Sequence, residues 1–150
     1  MIANDAPMRL SKKLVKYFHS LNLNKQKGFF IEAGANNGLY QNNSLYLETS
    51  LKWKGLLIEP NPTRYEECKK NRPNSIVKNC ALVSKNYNED SIKGFFNETD
   101  YENSLMGQIR KNNSLFDNTR WKEKSEISIP AKTLTTILSK EKYHKLTSFR

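Results

Sequence analysis

The sequence predicts an α/β fold in which parallel strands are flanked by helices, and three observations in one stretch predict it. Phe29-Phe30-Ile31 and Leu56-Leu57-Ile58 are short, continuous apolar runs, the pattern of parallel strands covered on both faces. The first run passes through an acid, Glu32, into a loop holding Gly34, Asn36 and Gly38. After a polar, helix-like segment, the second run ends in another acid, Glu59. Strand, glycine loop, helix, strand and terminal acid make the first half of a nucleotide-binding α/β unit.

The elements follow in order. Residues 1–9 read as a leader, and Ser11 caps a predicted helix reaching about Leu21, with Leu14, Val15, Phe18 and Leu21 on one face. That stripe packs on the sheet or binds a partner. A strand is predicted at Phe29 to Glu32. Asn43 or Ser44 caps a helix carrying Leu45, Leu47 and Leu51, and Trp53-Lys54-Gly55 turns into a second strand, Leu56 to Glu59. Pro60 and Pro62 stop it, and Pro62 suits the start of a polar surface helix over Thr63 to Asn71. Arg72-Pro73-Asn74 reads as a turn before a third strand, Ser75 to Lys78. Beyond Ala81 the signals weaken. Phe95-Phe96 suggests a short strand, and Asn103 to Trp121 reads as a mobile loop. Ile127 and Ile129 suggest a half-exposed strand ending at Pro130, and Thr133 precedes a helix with Leu134, Ile137 and Leu138.

The loop restricts its ligand. A dinucleotide fingerprint needs G-x-G-x-x-G, and here Asn36 stands where the second glycine belongs. The motif is E-x-G-x-N-x-G, with Glu32 directly before the turn. Glycine at 34 and 38 permits a sharp turn and close approach of a ligand to the backbone. A carboxylate beside that turn suits a cationic group better than a phosphate. S-adenosylmethionine carries a sulfonium and an amino group and no phosphate. Glu59 follows Gly38 at about the 20-residue spacing of an acid that accepts hydrogen bonds from ribose hydroxyls. The alternative is an ordinary turn in an α/β protein with no ligand.

EAGANNG, NNSLYLE, LKWKGLLIEPNP and IVKNCALVS, in that order, resemble the FkbM-type methyltransferases, which use S-adenosylmethionine. NSLMGQI and IPAKTLTTIL are similar to that family's later segments, so the resemblance runs from residue 28 to residue 138. It implies a Rossmann-like class I methyltransferase half-sheet. It also implies a cofactor site in which Glu32, Gly34 and Gly38, with Ala35 and Asn36 between them, surround the methionine part. Glu59, followed by Pro60, would hold the ribose, and Asn79, Cys80 and Ala81 would lie near the adenine. The implied reaction is O-methylation of a small molecule or a sugar hydroxyl.

One departure carries its own expectation. In the family, a segment like TLTTIL leads to a fourth strand ending in an acidic D-V-E-G-like motif. Here Leu146 to Phe149 begins such a strand, and the sequence stops at Arg150. The expected organisation is a leader and helix over 1–27 and a partial methyltransferase domain over 28–150, truncated, with the C-terminal strands missing. With Phe29 to Glu32 then at a sheet edge, self-association is expected.

Composition narrows the rest. Only 37% of the 150 residues are hydrophobic, below the usual ~45–50%, which fits a small core or a partial domain. The net charge of +10 would attract nucleic acid or anionic surfaces. The lysines are scattered, however, and no nucleic-acid motif accompanies them, so no specific nucleic-acid partner is expected. Cys68 and Cys80 are too few for a disulfide framework and read as reduced cysteines of a cytoplasmic protein. No metal-ligand spacing, membrane span or secretory signal is present. The sequons at Asn42, Asn97 and Asn112 read as chance in so asparagine-rich a chain. No catalytic base is identified: Asp100, Glu102 and His144 are candidates without support. Two rival readings stand beside the methyltransferase, a non-catalytic remnant and a basic RNA-modifying or nucleic-acid-binding protein.

Overall fold

The computed structural model describes residues 28–96, 108–110 and 125–140, together with Lys16. The chain divides into two units, Met1–Lys78 and Asn79–Arg150. The predicted N-terminal helix, apart from Lys16, and the fourth-strand residues 146–149 lie outside the described residues.

In the first unit, strands β1 (Phe29–Ala33), β2 (Lys54–Ile58) and β3 (Ile76–Lys78) form a parallel sheet in that order. Parallel neighbours need crossovers, and these are helices α1 (Leu45–Thr49) and α2 (Pro62–Asn71). The β1–β2 register pairs Phe30 with Gly55 and Ala33 with Ile58. Gly55 is required there, because a Cβ would sit 2.0 Å from the Phe30 ring. β2 is the middle strand and behaves as its apolar run predicts: Leu56, Leu57 and Ile58 are all buried. β1 departs from that expectation. Phe30 enters the core, while Ile31 is 41% exposed, and among the described residues β1 pairs with β2 alone.

The core of this unit joins Phe30, Ala35, Leu47, Leu57 and Cys68, with Tyr46, Leu51, Trp53 and Val77 packed against it. α2 starts as its sequence predicts. Asn61 is the N-cap, its side chain accepting from the Thr63 and Arg64 N–H groups at 2.9 and 3.3 Å, and Pro62 opens the first turn. α2 is a polar helix at the surface with one buried side, where Arg64 and Cys68 are covered and Cys68 enters the core.

The second unit holds β4 (Ala81–Leu82), β5 (Ser91–Phe96), β6 (Gln108–Arg110), β7 (Ser125–Lys132) and α3 (Leu134–Lys140). Their sheet order is β4-β7-β5-β6, antiparallel except for the β4–β7 pair. Ala81, Phe96 and Ile129 form its core. Two sequence expectations change here. Gln108–Arg110, read as loop, pairs with Lys93–Phe95. β7 continues past Pro130 to Lys132, because its partner changes there: β5 pairs with it up to Pro130, and β4 takes over at Ala131. The proline's missing N–H falls at the changeover. Helix α3 begins after Thr133 as expected, and the Thr133 hydroxyl accepts from the Thr136 N–H at 3.1 Å.

Candidate functional site

The glycine loop leaves β1 beside the end of β2. Gly34 and Ala35 both donate their N–H groups to the Ile58 carbonyl, at 2.8 and 3.2 Å. Asn36 adopts a left-handed conformation with φ 53°, and its N–H donates to Glu59 Oε2 at 2.7 Å. The Asn37 N–H donates to Asn36 Oδ1, and the Gly38 N–H to the Ala35 carbonyl. Leu39 and Tyr40 donate to Asn37 Oδ1 at 3.0 and 2.9 Å. Every backbone N–H from Gly34 to Tyr40 therefore has an acceptor within the protein.

That closed set distinguishes the loop from a phosphate-binding one. A phosphate-binding loop presents free N–H groups to an anion. This loop has none to present over those residues, and the Glu59 carboxylate is bonded to it.

Gly34 and Gly38, both at positive φ (76° and 81°), serve different purposes. A Cβ at Gly34 would meet nothing within 4 Å, so open space lies over the turn. A Cβ at Gly38 would lie 2.6 Å from Arg72 Cγ and 3.0 Å from Cys68 Sγ. Gly34 leaves room outside the protein. Gly38 makes room within it, for α2.

Glu59 sits just past β2 and is 6% exposed. One carboxylate oxygen accepts from Asn36 N–H and the other from Asn61 N–H, at 2.7 and 2.8 Å. Burial pushes its carboxyl above the ordinary value of 4.5, against the opposing pull of those two N–H groups and of nearby Arg64. Glu59 thus ties the glycine loop to the turn that contains Pro60.

Glu32 faces the start of α1. Its Oε1 accepts from Asn43 N–H at 2.8 Å, and its Oε2 from Ser44 N–H at 3.1 Å and from the Ser44 hydroxyl. Ser44 is the N-cap of α1, so Glu32 supplies acceptors to N–H groups the helix leaves unpaired.

Sequence reasoning missed the group behind this loop. Arg72, read as a turn residue, is 1% exposed. Its Nε donates to Glu48 Oε2 at 2.7 Å, forming a buried ion pair, and Ser75 also donates to that carboxylate. Nη1 donates to the Gly38 carbonyl and to Asn42 Oδ1 at 3.0 and 2.7 Å, and Nη2 to the Ser44 hydroxyl at 3.2 Å. Asn42 is itself 4% exposed and donates to the Ala35 carbonyl, which leaves its sequon without an accessible amide. The arginine's position directly after a helix is a weak signal, and nothing in the sequence marks it as buried.

Glu32, Gly34, Ala35, Asn36, Gly38, Glu59 and Pro60 thus lie around one loop of the first unit. Asn79, Cys80 and Ala81 belong to the second unit, where Cys80 and Ala81 are buried and Ala81 packs in the core. Asp100, Glu102 and His144 lie outside the described residues. Among the described residues, no cluster of His, Cys, Asp or Glu is arranged to hold a metal, and no helix is long and apolar enough to cross a membrane.

A family model for the methyltransferase FkbM domain matches residues 32–147. No curated protein matches the chain. A crystal structure described as a sarcosine dimethylglycine methyltransferase from Galdieria sulphuraria is similar at a TM-score of 0.44 and 12% identity, over 56% of this chain. This chain spans only 33% of the length of that one.

Proposed function

The chain belongs to the FkbM methyltransferase domain family, and from that membership we propose that its glycine loop binds S-adenosylmethionine for methylation of a hydroxyl on a small molecule or sugar. The observation that carries the reading is the closed set of N–H groups from Gly34 to Tyr40, flanked by Glu32 and Glu59 with open space over Gly34. This surface rejects a phosphate and accepts a ligand with positive charge and hydroxyl donors. S-adenosylmethionine brings a sulfonium, an ammonium and two ribose hydroxyls.

In this reading Gly34 lets the methionine part approach the backbone, and Glu32 contributes negative charge beside it. Glu59 accepts hydrogen bonds from the ribose hydroxyls. The bound cofactor supplies a methyl group on a good leaving group, so the protein's work is chiefly to orient donor and acceptor in line. Isothermal titration tests the reading. S-adenosylhomocysteine should bind, while ATP and NAD should not. Binding of ATP or NAD in preference would reverse it, and silence with all three would favour the non-catalytic remnant.

A further inference from the structure

The buried guanidinium of Arg72 touches the loop and the start of α1 together. It donates to the Gly38 carbonyl, to Asn42 Oδ1 and to the Ser44 hydroxyl. That hydroxyl in turn donates to Glu32 Oε2. The sequence of bonds is chemically consistent, because one hydroxyl accepts from the arginine and passes its own proton toward the carboxylate. Phe30 lies on another side, with the guanidinium carbon 5.6 Å from the ring centroid. Glu48 accepts from Nε and compensates the charge. Arg72 is therefore held rigidly, and whatever it touches inherits that placement.

We infer that Arg72 is a positioning residue of the donor site: it acts on Glu32 through the Ser44 hydroxyl and on the glycine loop through the Gly38 carbonyl. The inference rests on the reading of this loop as the S-adenosylmethionine site. A lysine could keep the charge beside Glu48, but its single ammonium lacks the planar fork that reaches several acceptors at once. The bonds to Gly38, Asn42 and Ser44 use that fork.

The test is a double-mutant cycle on the link, with Arg72→Lys beside it. Ser44→Ala removes the hydroxyl while leaving both backbone N–H bonds to Glu32. It should weaken S-adenosylhomocysteine binding by ~3–10-fold, the worth of one hydrogen bond. In a Glu32→Gln background the same substitution should cost less than about twofold, because the two residues act as one unit. Arg72→Lys should lower affinity at least as much as Ser44→Ala does. A merely structural role for Ser44 would give equal losses in both backgrounds, and that additivity would overturn the inference. Amide exchange on the cofactor-free protein reads the same link independently. In Ser44→Ala, exchange at Gly38–Tyr40 should accelerate while the β2 amides stay protected. If wild-type protein does not bind S-adenosylhomocysteine, the proposed function falls, and exchange alone decides the link. Unchanged exchange at the loop would then refute it.

Discussion

Replacing each loop glycine by alanine separates a ligand cradle from a packing contact. Both positions hold positive φ, 76° at Gly34 and 81° at Gly38, so alanine carries a conformational cost of ~1–2 kcal/mol at either. At Gly34 nothing more is added, because the new methyl meets no atom within 4 Å. At Gly38 the methyl would lie 2.6 Å from Arg72 Cγ and 3.0 Å from Cys68 Sγ. Neither neighbour yields easily. Arg72 is fixed by its bonds to Glu48, Gly38, Asn42 and Ser44, and Cys68 is fully buried. Overpacking of this kind costs a further ~1–3 kcal/mol. Gly38→Ala should therefore lose ~2–5 kcal/mol of stability in urea titrations, against ~1–2 kcal/mol for Gly34→Ala. Affinity should rank them the other way. Gly34→Ala fills the open space that the proposed function gives to the cofactor and should cost about tenfold or more in S-adenosylhomocysteine binding, ~1.4 kcal/mol. Equal stability losses would refute the packing argument, and full affinity in Gly34→Ala would refute the cradle.

Three further outcomes are expected. Glu48→Gln leaves the Arg72 charge buried without its counter-ion and should destabilise the first unit by ~3–5 kcal/mol in chemical denaturation. Burial raises the Glu59 carboxyl above 4.5, so the folded protein holds that proton more tightly than the unfolded chain does. Its contribution to stability is then full below 4.5 and is lost as pH rises through the folded-state value, a slope that Glu59→Gln should abolish in a pH series of thermal midpoints. Burial also pushes the Cys68 thiol up to about 12. Iodoacetamide at mildly alkaline pH should label Cys68 only after denaturation, as read by peptide mass mapping.

The half of the fold that repeats a local pattern was legible in the sequence. Leu56-Leu57-Ile58 announced a doubly covered strand and Pro62 a helix start, because each signal is carried locally in the chain. The loop was legible as well, since its glycines and acids are read directly. What stayed hidden depended on partners distant in the chain. Arg72 is buried only because Glu48, Asn42 and Ser44 come to meet it from more than 20 residues away. β7 runs through Pro130 only because its neighbour changes there. Cys68 is buried in a helix whose composition reads as surface, because Gly38 leaves a place for it.

The same closed loop also governs how this chain ages. Asn37-Gly38 is the dipeptide most prone to deamidation, in which the glycine nitrogen attacks the preceding side-chain amide and ammonia leaves. In the folded protein that nitrogen points its hydrogen at the Ala35 carbonyl, 2.9 Å away, and the Asn37 amide oxygen is pinned by Leu39 and Tyr40. Neither group is free to reach the ring-closing geometry. Asn37 is 8% exposed, so water has little access to the intermediate even if it forms. Succinimide chemistry at this bond therefore runs only while the loop is open, and the isoaspartate found at Asn37 in a stored sample becomes a chemical clock for the time this loop has spent open.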